Sequence, residues 1–462
     1  MAASLAGLIQ GAVAINADGA PLSQSTTPSS PPARPAARLT LRANFRWTFA
    51  GNLVNAGCQW GMITALAKLG SAEQVGRYTL GVAVAAPVMA ITMLQLRALQ
   101  VIDARDEFSF EQYFGTRLLT TAVALIIISG ICLLGFDESR TAWIVLLVGM
   151  VKGVEAVSDI VRSLFQRHER MDISGTSLML KGPALLMALI GVYWMTSDLI
   201  PAVAAAVAAG LLVMLSHDLP RARRLLEAEQ SDEREALLTA GAWNPSHVFR
   251  LIGRAWPLGL GMCLLSLQMN IPRYVLQAHH GEALLGYFSA MAYVTVLGTM
   301  VVSALGQAAS PRLAAFFLTD RSAFRRLFVK LVLVATLLGA LYVAAVAVAG
   351  GFILTLLYRP EYAAYHAEFV LIAVAGALAF MVTPVGFALT AARVFKAQLW
   401  IAGASCVVSI GLASWLIPAG GVRGAAWTLV VMAAFLLVCF AGVLITVMRG
   451  RGEPDADSGA GD

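Results

Sequence analysis

From Asn44 to about residue 448, mostly apolar stretches of roughly 20 residues or more follow one another, separated by short polar turns. They fall near 44–66, 76–100, 114–135, 141–165, 173–196, 198–217, 248–271, 284–309, 325–349, 366–390, 397–417 and 423–448. A helix of about 20 apolar residues crosses a bilayer, whereas a crossing strand shows a period of two that is absent here. The pattern predicts an all-α integral membrane protein of twelve transmembrane helices. Composition excludes the soluble alternative, with 58% hydrophobic and only 13% charged residues over 462 positions. The five cysteines lie singly in apolar segments and read as small core residues.

Orientation follows from the basic residues. Of 33 Lys and Arg, 25 fall on the side of the two chain ends and six on the other, with Lys152 and Lys181 inside spans. Both termini are therefore expected in the cytoplasm. The Ser/Thr/Pro/Ala run before residue 44 cannot bury a core, so residues 1–43 are expected to be a disordered tail. The short apolar patch from Leu5 to Ile15 has no basic residue before it and is excluded as a signal peptide or span.

Weak internal similarity divides the spans. Asp106-Glu107-Phe108-Ser109-Phe110 with Phe114 repeats in spacing as Asp320-Arg321-Ser322-Ala323-Phe324 with Phe328, and Gly76-Arg77-Tyr78 resembles Gly286-Tyr287. Two six-helix lobes are expected, 44–217 and 248–448, joined by a charged linker at 218–247 and followed by a tail at 449–462. Repeats of this kind place a substrate site between halves that rock against each other.

The fourth span is the anomaly. At 100° per residue, Lys152, Glu155, Asp159, Arg162 and Gln166 share an arc of about 80°. A charge near the bilayer centre costs about 2.5–3.5 kcal/mol on insertion scales, so this face points inward. It is either the wall of a wet, partly cationic cavity or an internally neutralised pair, Lys152 with Glu155. Asp159 and Arg162 lie nearer the cytoplasmic interface, where solvation is the simpler account. Asn52, Asn55 and Gln59 form a second stripe, serving either cargo contact or helix–helix hydrogen bonds. Ser289, Tyr293, Ser303 and Gln307 form a third, where Tyr293 or Gln307 can bind sugar hydroxyls but packing is the simpler account. Lys181 either snorkels to the surface or faces the cavity.

No nucleophile motif, glycine-rich phosphate loop or metal-ligand histidine spacing is present, and every external loop is short, so no enzyme and no nucleic-acid partner is expected.

The run Lys152-x-x-Glu155-x-x-x-Asp159-Ile160, with Phe165-Gln166-Arg167-His168-Glu169-Arg170-Met171-Asp172 and Lys181, resembles the fourth-to-fifth-span signature of bacterial polysaccharide flippases. These are the O-antigen, capsule and exopolysaccharide exporters of the multidrug/oligosaccharidyl-lipid/polysaccharide superfamily. Ala67-Lys68-Leu69-Gly70 leading to Gly76-Arg77-Tyr78, and Pro272-Arg273-Tyr274 with Gly286-Tyr287, resemble that family's matching loops in the two halves. Asn270-Ile271-Pro272 stands where members often carry an acid, which puts an ion pair at Arg273 in doubt. The resemblance implies alternating-access transfer of an undecaprenyl-pyrophosphate-linked oligosaccharide from the cytoplasmic to the periplasmic leaflet of the bacterial inner membrane. It also implies possible coupling to a proton or sodium gradient, and a polysaccharide polymerase and chain-length regulator as partners beside membrane lipid. On it, Lys152 attracts the pyrophosphate or an acidic sugar, Glu155 and Asp159 tune it or relay a proton, and Arg273 lines the path. A cation-coupled multidrug extruder, a cell-wall precursor flippase and a membrane-embedded sugar transferase remain the alternatives.

Overall fold

The computed structural model describes residues 40–102, 108–228 and 245–449. The expected tails up to 39 and from 450, the Asp106-Glu107 pair and linker residues 229–244 lie outside the described residues. Within them the secondary structure is helical throughout: α1 (Leu41–Leu69), α2 (Ala72–Met93), α3 (Leu96–Ile102), α4 (Phe110–Gly135), α5 (Ser139–Arg167), α6 (Met171–Thr196), α7 (Leu199–Val213), α8 (Leu219–Ala228), α9 (Pro245–Thr319), α10 (Arg321–Leu357), α11 (His366–Ala391) and α12 (Phe395–Arg449).

Among the described residues, eight helical runs are long and apolar enough to cross a membrane, which makes this a multi-pass membrane protein. Two are too long for one crossing, at 74 and 54 residues. Each is broken at a glycine with positive φ, Gly281 (79°) in α9 and Gly421 (51°) in α12, a conformation that costs glycine nothing. Two more 29-residue helices, α1 and α5, are more polar.

The repeated motifs have structural work to do. Ser109 caps α4 in a reciprocal capping box with Gln112, and Asp320 caps α10 through Ser322 and Ala323. Behind each cap an aromatic pair packs one turn apart, Phe110 on Phe114 and Phe324 on Phe328. Gly76 and Gly286 are each the fifth residue of their helical segment, and they meet. A Cβ on Gly76 would stand 1.8 Å from the Glu282 carbonyl oxygen, and one on Gly286 1.8 Å from that of Ala72. The main chains touch, so neither position admits a side chain.

Helices before residue 229 pack on one another, α1 on α6, α2 and α4 on α5, and α6 on α7, and those from 245 onward do likewise. The two sets join chiefly along α2 and α9. One face of the bundle carries the start of α1; we call it the terminal face and the opposite one the loop face. On the loop face, Lys68 Nζ donates to the Thr355 carbonyl at 3.1 Å and Arg359 Nε to the Lys68 carbonyl at 3.2 Å.

Two boundaries differ from expectation. The span expected at 76–100 breaks at Leu94 and Gln95, both left-handed at φ 52°. Such backbone costs about 1–3 kcal/mol per residue and persists only where packing dictates it. Here Leu94 and Leu96 are buried with Phe108, Phe110, Phe165 and Leu251. The linker expected from residue 218 begins as helix instead: α7 passes through a π-helical turn, Met214–Asp218, into α8, whose Leu219, Ala222, Leu225 and Leu226 join that cluster.

Candidate functional site

Helix α5 is held by Ile144, Val145, Val148, Ala156, Ile160 and Val161, all buried, and this fixes its polar stripe toward the interior. Lys152 Nζ donates to Glu155 Oε2 at 2.9 Å, with each side chain 25% exposed. One turn apart on a helix, the two charges cancel and neither needs lipid contact. Tyr78 of α2 and Tyr293 of α9 flank the pair. Of the two readings of the stripe, the structure shows the neutralised pair.

Beside it, between α1 and α9, lies a cavity of about 140 Å³ lined by Asn52, Asn55, Gln59, Trp60, Tyr293 and Met300. The structure brings the amides of α1 together with Tyr293, for which the sequence favoured packing over contact with sugar hydroxyls. Amides and phenols donate and accept hydrogen bonds without charge, which suits a hydroxyl-rich solute. Toward the loop face the seam between the two sets of helices is shut by the Gly76–Gly286 contact and by Arg77, whose Nε donates to Glu282 Oε2 at 2.5 Å.

Toward the terminal face the stripe changes character. Asp159 Oδ1 accepts from Arg97 Nη1 at 2.7 Å and from Arg162 Nη2 at 3.3 Å, while Arg97 Nε and Nη2 reach Gln166 Oε1 at 3.1 and 2.8 Å. Arg162 is 7% exposed, so solvation of Asp159 and Arg162 at the interface is corrected to an internal ion pair that recruits Arg97 from α3. Arg117 of α4 is 1% exposed and donates Nη1 to the Met93 carbonyl at 2.9 Å; its Nε and Nη2 have no hydrogen-bond partner. Met93, Gln95, Arg97, Val101, Arg117 and Asp159 border a cavity of about 410 Å³.

Lys181 does not snorkel. It is 2% exposed and its Nζ donates to Ser158 Oγ, with Asp218 and Arg162 among its charged neighbours. Asp218 is fully buried and pairs with His217 Nδ1 at 3.0 Å, so the π-helical turn carries a buried charge where the sequence reading began a linker. Arg273 lies inside α9, past the predicted span end at 271, and its Nη1 is taken by Asn270 Oδ1 at 2.9 Å and the Met269 carbonyl at 3.0 Å. Asn270 thus gives Arg273 a neutral hydrogen-bond partner. Arg97 and Arg117 escaped the sequence reading because both were counted only among the basic residues on the side of the chain ends. The visible signal was Arg97 three residues before Gln100, whose Oε1 accepts from Ser163 one turn past Asp159.

A sequence profile described as "Polysaccharide biosynthesis protein" matches residues 41–317. The capsular polysaccharide biosynthesis protein CapF of Staphylococcus aureus is 25% identical over 321 residues, covering 69% of this chain and 78% of that protein. Among solved structures, lipid II flippase MurJ in an inward closed conformation superposes with a TM-score of 0.65 at 10% identity, over 88% of each chain. An inward-facing multidrug resistance MATE family transporter of the MOP superfamily superposes with a TM-score of 0.58 at 13% identity, over 88% of this chain and 96% of its own. The fold is theirs.

Proposed function

Because this chain belongs to the polysaccharide biosynthesis protein family, we propose that it is a flippase that carries a polyprenyl-diphosphate-linked oligosaccharide from the cytoplasmic to the periplasmic leaflet of a bacterial inner membrane. The observation that carries this reading is the seam between α1 and α9. It is lined by Asn52, Asn55, Gln59 and Tyr293, backed by the neutral Lys152–Glu155 pair, and sealed on the loop face. A glycan meets hydroxyl partners along it, while the lipid tail stays outside between helices.

In this reading the chain crosses the membrane twelve times. The eight apolar runs, two of them folded at Gly281 and Gly421, account for ten crossings, and α1 and α5 supply the others. The basic-residue asymmetry supports cytoplasmic termini, which makes the loop face periplasmic. The lobes are then residues 44–217 and 248–448, and alternating access is their rocking about the α2–α9 contact. No bond is made or broken, and a proton or sodium gradient drives the cycle.

The test is reconstitution of the full chain in liposomes carrying an undecaprenyl-diphosphate oligosaccharide. A membrane-impermeant lectin added outside reports arrival of glycan from the inner leaflet. Transfer is expected to exceed that of protein-free liposomes severalfold; equal rates overturn the reading, and turnover of nucleotide sugar by the purified protein replaces it with a transferase.

A further inference from the structure

Nothing local explains the break between α2 and α3. Residues 92–100 hold no glycine or proline, and all but Thr92 are among the strongest helix formers. Yet Leu94 and Gln95 both stand at φ 52°, a backbone that side chains of this kind disfavour. The break also forfeits helical hydrogen bonds. In a continuous helix the Met93 carbonyl accepts from the Arg97 amide, whereas here Arg117 Nη1 takes that carbonyl at 2.9 Å. Strain of this kind persists only where the surroundings impose it, and it gathers at switches.

The opposing force is a polar zipper between α3 and α5. Arg97 Nη1 donates to Asp159 Oδ1 at 2.7 Å, its Nε and Nη2 donate to Gln166 Oε1, and Ser163 Oγ donates to Gln100 Oε1. Asp159, Ser163 and Gln166 follow one another by a turn on a single face of α5. The elbow is also where the second set of helices arrives. A Cβ on Gly259 of α9 would stand 2.7 Å from the Ile91 carbonyl oxygen and 3.3 Å from Leu94 Cα, so α9 bears on the elbow at main-chain distance.

We propose that the Leu94–Gln95 elbow is a two-state hinge and α3 a strap. With the loop face sealed, the strap is docked on α5. When the two sets of helices rock and α9 shifts against Ile91 and Leu94, α2 and α3 join into the one helix that their residues favour, and Arg97 leaves Asp159. The docked form loses backbone hydrogen bonds and the straight form loses the zipper, which keeps the two close in free energy. Arg97, already one-third exposed, passes to water, and Asp159 keeps Arg162 at 3.3 Å on its own helix, so no lone carboxylate is stranded. Gln95, Arg97, Ala98 and Val101 border the 410 Å³ cavity, so the change remakes that cavity. The inference rests on the rocking in the flippase reading and adds the element that answers it on the terminal face.

The experiment uses the full chain in nanodiscs, without cargo and in a background lacking the native cysteines. Spin labels at Ala98→Cys, on the exposed side of α3, and Leu180→Cys, on the exposed side of α6, report their separation by double electron–electron resonance. Wild-type protein is expected to show a docked distance and a second one. Gln95→Gly relieves the left-handed backbone and weakens a continuous helix, so it is expected to cut the second population about tenfold. Asp159→Asn and Gln166→Ala each weaken the hold on Arg97 and are expected to raise it severalfold. Should Asp159→Asn fail to fold, Gln166→Ala carries the test. Glu282→Gln, which unties the loop-face seal, is expected to raise the same population. One unchanged distance throughout overturns the hinge, as does a second population that Gln95→Gly increases. A loop face that opens in Glu282→Gln while α3 stays docked also overturns it. A chain with both distances that moves no glycan in liposomes refutes the flippase reading alone.

Discussion

Arg77 on α2 and Glu282, the first residue beyond the bend in α9, are joined by an ion pair of 2.5 Å with both side chains only 12% exposed. Arg77 also holds Glu73 at 2.6 Å and Glu138 at 2.7 Å, so one guanidinium ties three carboxylates at the loop face. Only the Glu282 contact bridges the two sets of helices. Losing such a hydrogen-bonded charge pair costs about 2 kcal/mol. Glu282→Gln is therefore expected to raise the population open on the loop face by about tenfold or more. Labelling of Tyr293→Cys, in a background without the native cysteines, by an impermeant maleimide from that face reads the change. An unaltered rate means that the pair does not hold the seal.

A harder break is available at Gly76. Its substitution by alanine puts a Cβ within 1.8 Å of the Glu282 carbonyl oxygen, a distance only backbone movement can relieve. Gly76→Ala is expected to raise Tyr293→Cys labelling from the loop face more than Glu282→Gln does. Gly286→Ala, which meets the Ala72 carbonyl in the same way, is expected to match it. Similar labelling of all three and the wild type would show that the glycine contact tolerates a methyl.

The Lys152–Glu155 pair predicts a rescue. Lys152→Ala strands a carboxylate in the membrane interior, and removal of one partner from a buried pair costs about 3 kcal/mol or more. Protein abundance in membranes is expected to fall severalfold. Lys152→Met with Glu155→Gln, which removes both charges at similar volume, is expected to restore it to near the wild-type level. Surface polysaccharide measured on the same cells separates folding from transport: restored abundance with absent polysaccharide makes the pair a contact for cargo.

Asp198 gives a pH dependence outside the spans. Its carboxylate caps α7 through the Ile200 amide at 3.1 Å and pairs with Arg140 at 2.6 Å. The Arg140 hydrogen bond, followed by the amide, holds its pKa below the ordinary carboxylate value. A depressed pKa contributes stability above the unfolded value of about 3.9, and that stability is lost as pH falls through the folded value. Asp198→Asn keeps the cap and loses the charge, so its deficit in melting temperature is expected to be small and constant above about pH 5 and to shrink below about pH 4. A deficit that grows toward low pH contradicts this.

Much of the architecture was legible because lipid imposes simple rules. Apolar length located the spans, and motif spacing located the matching caps at Ser109 and Asp320 and the glycines that meet at the α2–α9 seam. Helical periodicity found the α5 stripe and the α1 amides, since both depend on one helix at a time. Partners from other helices were not legible. Arg97 reads as a basic residue at the end of the span expected at 76–100 until the backbone turns left-handed at Leu94 and Gln95, two residues with no intrinsic preference for that conformation. Lys181 reads equally as snorkelling or inward-facing until Ser158 is known to face it, and His217-Asp218 reads as a span end until the π-helical turn swings it inward. Each miss is a tertiary contact overriding a local rule.

The pairing of Asp159 with Arg97 and Arg162 also has an electrical meaning. Displacing one elementary charge through the membrane field exchanges about 2.3 kcal/mol per 100 mV, so a carboxylate that takes its counter-charges from α3 and α5 reduces the charge on which the membrane potential can act.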